Sequence, residues 1–382
     1  MADDALARVV EAVQDADANR VPEALREALL ELGVTETILW LSDYRESHLV
    51  DVTSHWAWQV GDDRVIPVDG SDQGRAFASG RPFEVGGRIH VPVTVRGDRR
   101  GVLEMAPVIA EPHELLRVAR VVGSAVAEAN RVSDRYVVST RVRPMTVAAE
   151  MQRALLPGTA YRDDEVEVAG LVEPAYTVGG DCFDWSRSDD SLQVTVIDAG
   201  GRGISPAQTG ALALTASRNA RRGGADIAEQ AAEADRALFA VHGGEQWAAA
   251  LWIELDLRTG DALAVATGTL NLLRVRTSGV REQKLVDQPY LGKAGRTRYT
   301  AEHVHKLGAD RIVIVSDGLS AAASSDSDPF GKSEMSRTLR QHLLLPPAET
   351  VRAILAAMSA YRGEHELSDD AVALCLDWAS RD

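Results

Sequence analysis

The chain has 382 residues, of which 45% are hydrophobic and 26% are charged, enough for two domains of ordinary size with buried cores. Lys and Arg total 41 against 57 Asp and Glu, and the resulting net charge of -16 disfavours binding to nucleic acids or anionic membranes. No stretch approaches the roughly 18 apolar residues that a membrane-spanning helix needs, and the acidic start of the chain does not resemble a secretory signal. The two cysteines, Cys182 and Cys375, have no zinc-ligand spacing, so we expect a cytoplasmic protein.

The first third of the chain alternates between helix and strand patterns. The predicted helices cover residues 1–34 and 71–80, and the predicted strands cover residues 36–42, 47–53, 88–95 and 99–105. Ser71 is a typical N-cap, and Gly80 is a typical helix end. The last two strands are joined by Arg96-Gly97-Asp98, a sequence that favours a hairpin turn.

A long helical pattern follows over residues 112–142. Its apolar or small residues recur at spacings of four and three, at Leu115, Ala119, Val122, Val126 and Ala129. This heptad seam is too short to establish a coiled coil, but it could pair two copies of the chain. Pro144 should break the helix, and a second piece should end before Pro157. We therefore expect a domain over residues 1–130, a helical linker over 131–157 and a second domain over 158–382.

The second domain is rich in strands. They are predicted over residues 165–171, 191–198, 247–255, 261–267, 270–276, 280–286, 311–315 and 371–378. Helices are predicted after Ser205-Pro206, after Asp226 with Glu229 as its capping-box partner, and over residues 332–345 and 347–361. Blocks of strands next to blocks of helices are typical of an α+β fold.

Four aspartates of this domain share a context, because each lies at or beside the end of a strand. They are Asp181, Asp198, Asp317 and Asp369, and three of them adjoin glycine or a second aspartate. Carboxylates in such positions suit oxygen-seeking cations such as Mg²⁺ or Mn²⁺. Two ions bridged by one carboxylate can activate a water and hold a phosphoryl group. The alternative is that Asp-Gly pairs are ordinary turns.

The segments around these aspartates resemble a known family. "VGGDCFD", "VIDAGGRG", "VIVSDGL" and "SDDAVAL" match, in order, the four motifs of the PPM-type protein phosphatases, and they are most similar to the bacterial SpoIIE/RsbU-like group. "AAEMQRALLP" resembles the segment that opens that domain, and "PYLGK" is a further match. The resemblance covers about residues 146–378. It implies an αββα sandwich, in which a central β-sandwich is flanked by helices.

The resemblance also implies roles for individual residues. Asp198 would bridge two divalent metal ions, Mn²⁺ or Mg²⁺, with the backbone carbonyl of Ala199 as a further ligand. Asp317 and Asp369 would complete the first metal site, and Asp181 would serve the second, directly or through water. The nucleophile would be the water between the two ions, so Asp198 and Asp181 are the expected catalytic residues.

Two segments depart from the family pattern. Gly200-Gly201-Arg202 stands where the family has Ser-Gly-His or Gly-His, and Thr267-Gly268-Thr269 stands where it has Ala-Gly-His. Arg202 is either a contact to the substrate phosphate or a surface arginine. These departures leave two hypotheses open, an active phosphatase and a catalytically weak or inactive module that regulates partners by binding.

Other residues have a structural and a functional interpretation. Asp184 is expected to accept structural hydrogen bonds, and Cys182 to be a buried inert thiol. Trp40, Trp56 and Trp58 either line a ligand pocket or pack in the core of the first domain.

The first domain resembles a GAF sensor domain over about residues 20–130. The segments that carry this resemblance are "GSDQGRAFASGRPFEV" and "IHVPVTVRGDRRGVLEM". The region has no cysteine, which excludes thiol attachment of a bilin. We expect its signals to pass through the helix over 112–155 in a homodimer.

The leading hypothesis is a GAF-regulated serine/threonine phosphatase. By family resemblance its substrate would be a phosphorylated anti-anti-sigma factor of the STAS type. A third hypothesis, a pure small-molecule sensor, leaves the four aspartates unexplained.

Overall fold

The computed structural model describes residues 2–53, 64–174, 180–201, 203–304, 310–323, 329–363, 365 and 367–379. The chain forms two compact units, Met1–Pro144 and Met145–Asp382. The division between them falls inside the segment predicted as a linker. Of the helices described in these ranges, none is long and apolar enough to cross a membrane.

The N-terminal unit is an α/β domain built on one antiparallel sheet. Its helices are α1 (Ala2–Gln14), α2 (Val21–Glu31), α3 (Asp72–Ser79), α4 (Pro112–Ala129) and α5 (Arg135–Ser139). Its strands are β1 (Glu36–Ser42), β2 (His48–Asp51), β3 (Val65–Pro67), β4 (Phe83–Val85), β5 (Arg88–Val95) and β6 (Asp98–Ala106), in the spatial order β3-β2-β1-β6-β5-β4. Helices α1, α2 and α4 pack with the sheet around the main core of this unit.

Local signals in this unit are confirmed where they depend on near neighbours. The Ser71 hydroxyl accepts a hydrogen bond from the Gly74 amide at 3.0 Å, and Gly80 ends α3 in the left-handed conformation. Arg96 and Gly97 both have positive φ, as the turn of a two-residue hairpin requires. The helical region predicted over residues 1–34 is present as two helices, α1 and α2. Between them, Asp17 accepts a hydrogen bond from the Asn19 amide.

The helix predicted over residues 112–142 starts where predicted but is divided in two, because α4 ends at Ala129 and the short α5 follows. The predicted seam residues of α4 are all buried, and they pack into the core of the N-terminal unit itself. That seam is therefore not a free surface for pairing with a second copy. Homodimerisation as such stays a prediction.

Helix α5 is attached to α2 by a buried ion pair that gives the first testable prediction. The Arg135 guanidinium donates to the two carboxylate oxygens of Glu23 at 3.0 and 2.7 Å. Arg135→Ala leaves a partly buried carboxylate without its partner, so we expect it to lower the free energy of unfolding by about 2 kcal/mol. Arg20→Ala removes an exposed pair with Glu27 and should cost less than about 0.5 kcal/mol. Denaturant unfolding of both variants checks this, and equal effects would contradict it.

The C-terminal unit contains two antiparallel sheets. The first has the order β15-β12-β11-β10-β9 and the second the order β14-β13-β16-β17-β8-β7. Strands of the first sheet are β9 (Cys182–Arg187), β10 (Ser191–Ala199), β11 (Ala248–Asp256), β12 (Ala262–Thr267) and β15 (Glu302–Val304). Strands of the second are β7 (Ala160–Arg162), β8 (Val166–Glu173), β13 (Asn271–Arg276), β14 (Gly279–Glu282), β16 (Arg311–Val315) and β17 (Ala371–Trp378).

Helices cover the outer faces of the two sheets. They are α6 (Val147–Leu155), α7 (Ile204–Arg222), α8 (Ile227–His242), α9 (Asp317–Ser320), α10 (Gly331–Gln341) and α11 (Pro347–Arg362). Alternate residues explain the layers. Leu251 and Ile253 share a core with Leu374 of the other sheet, whereas Trp252 packs outward among residues of α7 and α8. Helices α10 and α11 cover the second sheet, and the α+β prediction is confirmed.

Some local predictions for this unit were confirmed and others were wrong. The capping box of Asp226 and Glu229 is present at the start of α8. Helix α7 begins earlier than predicted, with Gly203 as its N-cap rather than Ser205. Strands β7, β9 and β15 were missed. Of these, β9 lies directly after one of the four aspartates and pairs with β10.

Candidate metal centre

Asp198 lies near the end of strand β10, which is paired on both sides by β9 and β11. Its side chain has the same parity as Val194 and Val196, which face the other sheet, and it is 5% exposed. The strand ends at Ala199, and the chain then turns through Gly200. A Cβ atom at Gly200 would lie 2.8 Å from the ring of Trp247, so this turn has room only for glycine.

Asp181 is adjacent to this strand end. It immediately precedes β9, and the register pairs its neighbour Cys182 with Ile197 of β10. Asp181 is 1% exposed, and among the described residues both of its carboxylate oxygens are buried without a hydrogen-bond partner. A buried ionisable group in this state is costly unless a cation or a proton compensates for it.

Asp317 and Asp369 come from the second sheet. Strand β16 ends at Val315, two residues before Asp317, which begins the one-turn helix α9. Asp369 precedes β17 and accepts a hydrogen bond from the Asp370 amide at 2.9 Å. A Cβ atom at Gly318 would lie 2.0 Å from the Asp370 carbonyl oxygen, so glycine allows the two segments to touch.

A cleft joins the glycine turn to these two aspartates. It has a volume of about 340 Å³ and is lined by Gly201, Asp317, Gly318, Ala321, Ser368 and Asp369. Three of the four motif segments therefore meet at one opening. Thr269 reaches the rim, where its hydroxyl donates to an Asp317 carboxylate oxygen at 3.4 Å.

The carboxylates of the centre disfavour each other's ionisation. Burial raises the pKa of Asp198 to about 7, and the charges of Asp317 and Asp369 add to this effect. Burial also raises the pKa of Asp181 well above its ordinary value, followed by the charges of Asp198, Asp370 and Asp369. Several carboxylates that raise one another's pKa form a site suited to bound cations.

The oxygen atoms of these aspartates are suitable ligands for divalent cations. Within the described ranges, no three His, Cys, Asp or Glu side chains already converge on one point as metal ligands do. The aspartates nevertheless lie within electrostatic reach of one another, and burial with its neighbours' negative charges disfavours the ionised form of Asp181. Carboxylate oxygens in this number suit Mg²⁺ or Mn²⁺, which prefer oxygen ligands.

Gln152 on α6 is a residue of the centre that sequence reasoning missed. Its side-chain amide donates to the Asp181 carbonyl oxygen at 2.6 Å and to Asp370 Oδ2 at 2.8 Å. The side chain is 2% exposed. A glutamine on the buried face of an amphipathic helix was the available signal, because a buried amide needs partners.

The remaining candidates divide into structural residues and residues outside the described ranges. Asp184 accepts from Arg218 at 2.7 Å and lies 2.9 Å from Arg221, so it has the expected structural role. Cys182 and Cys375 are buried, and burial raises the pKa of both thiols.

Trp40 packs in a small core of the N-terminal unit, and its Nε1 donates to Glu104 at 2.8 Å. The predictions for Arg202, Trp56 and Trp58 fall on residues outside the described part of the chain.

Comparison with known proteins gives one family match. A family model described as Stage II sporulation protein E (SpoIIE) matches residues 188–379, half of the chain. The matched range includes Asp198, Asp317 and Asp369, and Asp181 precedes it. No curated protein sequence matches this chain.

Several solved structures are similar to the chain. The SiaA-PP2C domain of Pseudomonas aeruginosa is 24% identical with a TM-score of 0.49, over 56% of this chain and 85% of that one. The RsbU and RsbW domains of a Mycobacterium tuberculosis protein are 20% identical with a TM-score of 0.49, over 56% and 62%. RsbX in complex with magnesium is 15% identical with a TM-score of 0.45, over 58% and 98%. No residue role is transferred from structures this distant.

Proposed function

The chain belongs to the SpoIIE family of PPM-type phosphatases through its C-terminal half, and from this premise we propose that it is an active metal-dependent serine/threonine protein phosphatase. One observation carries the proposal. Aspartates from four separate segments, each at or beside a strand end, act on one another electrostatically, and burial and mutual repulsion raise the pKa of two of them. Burying several carboxylates together costs free energy unless bound cations neutralise their charge.

We assign roles within this centre by position. Asp198 would bridge two ions, Mn²⁺ or Mg²⁺, with the Ala199 carbonyl as a further ligand. Asp317 and Asp369 would hold the first ion and Asp181 the second. Divalent cations, when bound, lower the pKa of a water and offset the charge of a phosphoryl group. The glycine turn after Ala199 leaves backbone beside the cleft, where a phosphoryl group can approach.

The chain's own residues fix this arrangement. The Ser316 hydroxyl accepts from the Val372 amide at 3.0 Å, and the Ser316 amide donates to the Val372 carbonyl at 3.1 Å. These bonds join the segment of Asp317 to that of Asp369. Gln152 joins the segments of Asp181 and Asp370 in the same way. Hydrogen bonds between these segments thus hold the carboxylates in place before a substrate binds.

The substrate and the control of the enzyme are proposed from the family resemblance. The substrate would be a phosphorylated anti-anti-sigma factor of the STAS type, and the N-terminal α/β domain would act as a GAF sensor. Because the α4 seam is buried in its own unit, a homodimer would need another surface of that unit or the segment after α5.

A binding module without catalysis is the second candidate. Two observations favour it. No three carboxylates of the described residues converge as ready-made ligands, and the chain has Gly200-Gly201-Arg202 and Thr267-Gly268-Thr269 where the family motifs end in histidine. The test is hydrolysis of p-nitrophenyl phosphate and of a phosphoserine peptide, with Mn²⁺ and with EDTA. Activity that requires Mn²⁺ supports the phosphatase. A lack of activity with both Mn²⁺ and Mg²⁺ would favour the binding module without catalysis.

Gln152 provides a test of the positioning residues. Gln152→Leu removes one hydrogen bond to the Asp370 carboxylate and one to the Asp181 carbonyl, so we expect hydrolysis to fall by roughly 10-fold to 100-fold and the half-saturating Mn²⁺ concentration to rise. Gln193→Leu is the matched control, since Gln193 near the start of β10 bonds to Glu254 of β11 and Gln230 of α8. It should keep activity within about twofold. Wild-type rates and Mn²⁺ dependence in Gln152→Leu would contradict the role.

A further inference from the structure

An exposed basic segment lies beside the candidate centre in an otherwise acidic protein. We call residues 288–300 the basic loop; its sequence is QPYLGKAGRTRYT. It contains no acidic residue, and Lys293, Arg296 and Arg298 are exposed. In the described part of the chain none of these three cations forms a salt bridge. On a chain with a net charge of -16, three neighbouring cations without an acidic partner among the described residues are suited to bind an external anionic partner.

The basic loop is held in place from inside the domain. Asp235 of α8 is fully buried, and it accepts from the Gly292 amide at 2.8 Å and from the Thr297 amide at 3.2 Å. The two ends of the loop are joined by hydrogen bonds between Gln288 and Thr300 at 2.8 and 3.0 Å. The cations are therefore presented on a preorganised backbone, which lowers the entropy cost of binding.

An aromatic pair connects the basic loop to the centre. Tyr290 at its start packs edge-on against Trp247, with ring centroids 4.6 Å apart, and Trp247 covers Gly200 of the glycine turn. Tyr290 also lies against Gly268, where a Cβ atom would be 2.3 Å from its ring. Burial and Asp287 raise the pKa of Tyr290, and the charges of Asp198 and Asp317 add to the rise, so this ring lies within their field.

Lys293 lies over one ring of the aromatic pair. Its Nζ lies 5.8 Å from the centroid of the Trp247 ring. A chain that leaves the cleft over Trp247 would thus meet Lys293, and Arg296 and Arg298 follow it three and five residues later in the same loop. Carboxylates at those positions would meet cations that are free to pair.

We propose that the basic loop binds the acidic segment that flanks the phosphorylated residue of a protein substrate. The inference rests on the proposed phosphatase function and adds a substrate class to it. An acidic peptide is favoured over nucleic acid or anionic lipid, because the patch has only three cations and the net charge of -16 would repel an extended polyanion. Arg296 and Arg298 would act as charge-complementary contacts that set specificity and association rate.

The test compares a charge-reversed loop with a matched control. The variant is Arg296→Glu/Arg298→Glu, and the control is Arg222→Glu/Arg340→Glu, which makes the same charge change at two exposed positions. Arg222 ends α7, a helix of 19 residues and about 28 Å, at the opposite end from the glycine turn. Melting temperatures of both variants check that they are folded.

The probes are two labelled phosphoserine peptides of equal length. One has Asp and Glu around the phosphoserine and the other has Asn and Gln, and each is also made as a phosphonate that cannot be hydrolysed. We expect wild type and control, with Mn²⁺, to bind the acidic phosphonate peptide about tenfold more tightly than the neutral one. The loop variant should lose this preference in binding and in kcat/KM.

The outcomes separate the loop from the catalytic function. A preference that survives in the loop variant, or that wild type lacks, overturns the proposal even when hydrolysis is normal. Binding that follows the expected pattern without any hydrolysis supports the loop and refutes the phosphatase. Tighter binding of single-stranded RNA or phosphatidylserine vesicles, abolished by the loop variant, would overturn the acidic-peptide assignment.

Discussion

Asp198→Asn is expected to reduce metal-dependent hydrolysis of p-nitrophenyl phosphate by at least about 10³-fold. The substitution keeps the size of the side chain but removes the charge of the one carboxylate proposed to bridge two ions. Loss of several kcal/mol of charge stabilisation in the transition state corresponds to this factor, at about 1.4 kcal/mol for each tenfold. Initial rates over a range of Mn²⁺ concentrations measure it.

Stability separates this loss from simple unfolding. Because burial and repulsion raise the pKa of Asp198, the neutral amide should raise the melting temperature of the metal-free protein at neutral pH. Asp190→Asn is the matched control: it removes one charge at the other end of the same hairpin, where Asp190 is exposed beside Arg258. A loss of activity in Asp190→Asn, or equal rates for wild type and Asp198→Asn, would refute the proposed centre.

The sequence was a good guide to elements whose signals are local. Ser71 and Gly80 bound α3, and Asp226 with Glu229 caps α8, because each signal needs only residues within one turn. The apolar alternation before Asp198 likewise predicts β10. Such patterns depend on the period of the backbone and not on distant contacts.

Long-range contacts explain what the sequence did not predict. The heptad seam of α4 has the right period, but a period does not tell which surface covers it, and here the surface is the unit's own core. The partners of Gln152 are 29 and 218 residues away, so its place in the centre depends on the folded topology. Asp317 was predicted correctly beside β16, but the turn into α9 was not.

The second large effect is the response of stability to pH and to metal ions. The pKa of Asp198 is raised from 3.8 to about 7, so between these values the folded state keeps a proton that the unfolded state has released. For an acid with a raised pKa, stability is therefore lost as pH rises from about 4 to 7. The loss is on the order of 4 kcal/mol, and Asp181 acts in the same direction. In EDTA, these two aspartates should thus lower the melting temperature of the C-terminal domain by roughly 10 °C between pH 4.5 and pH 7.5.

The contributions of other titrating groups to the pH dependence are subtracted by comparing wild type with Asp198→Asn. Burial lowers the pKa of His90, which has the opposite effect near neutral pH, and the lowered pKa values of Asp163 and Asp310 matter only below about pH 4. The melting-temperature difference between wild type and variant cancels these shared contributions.

Mn²⁺ at about 100 times its dissociation constant should add about 2.7 kcal/mol to the free energy of unfolding of wild type at pH 7.5. It should add less at pH 4.5, since protons compete for the carboxylates. A wild-type curve parallel to that of the variant from pH 4.5 to 7.5, with no response to Mn²⁺, would mean that the cluster neither repels itself nor binds a cation.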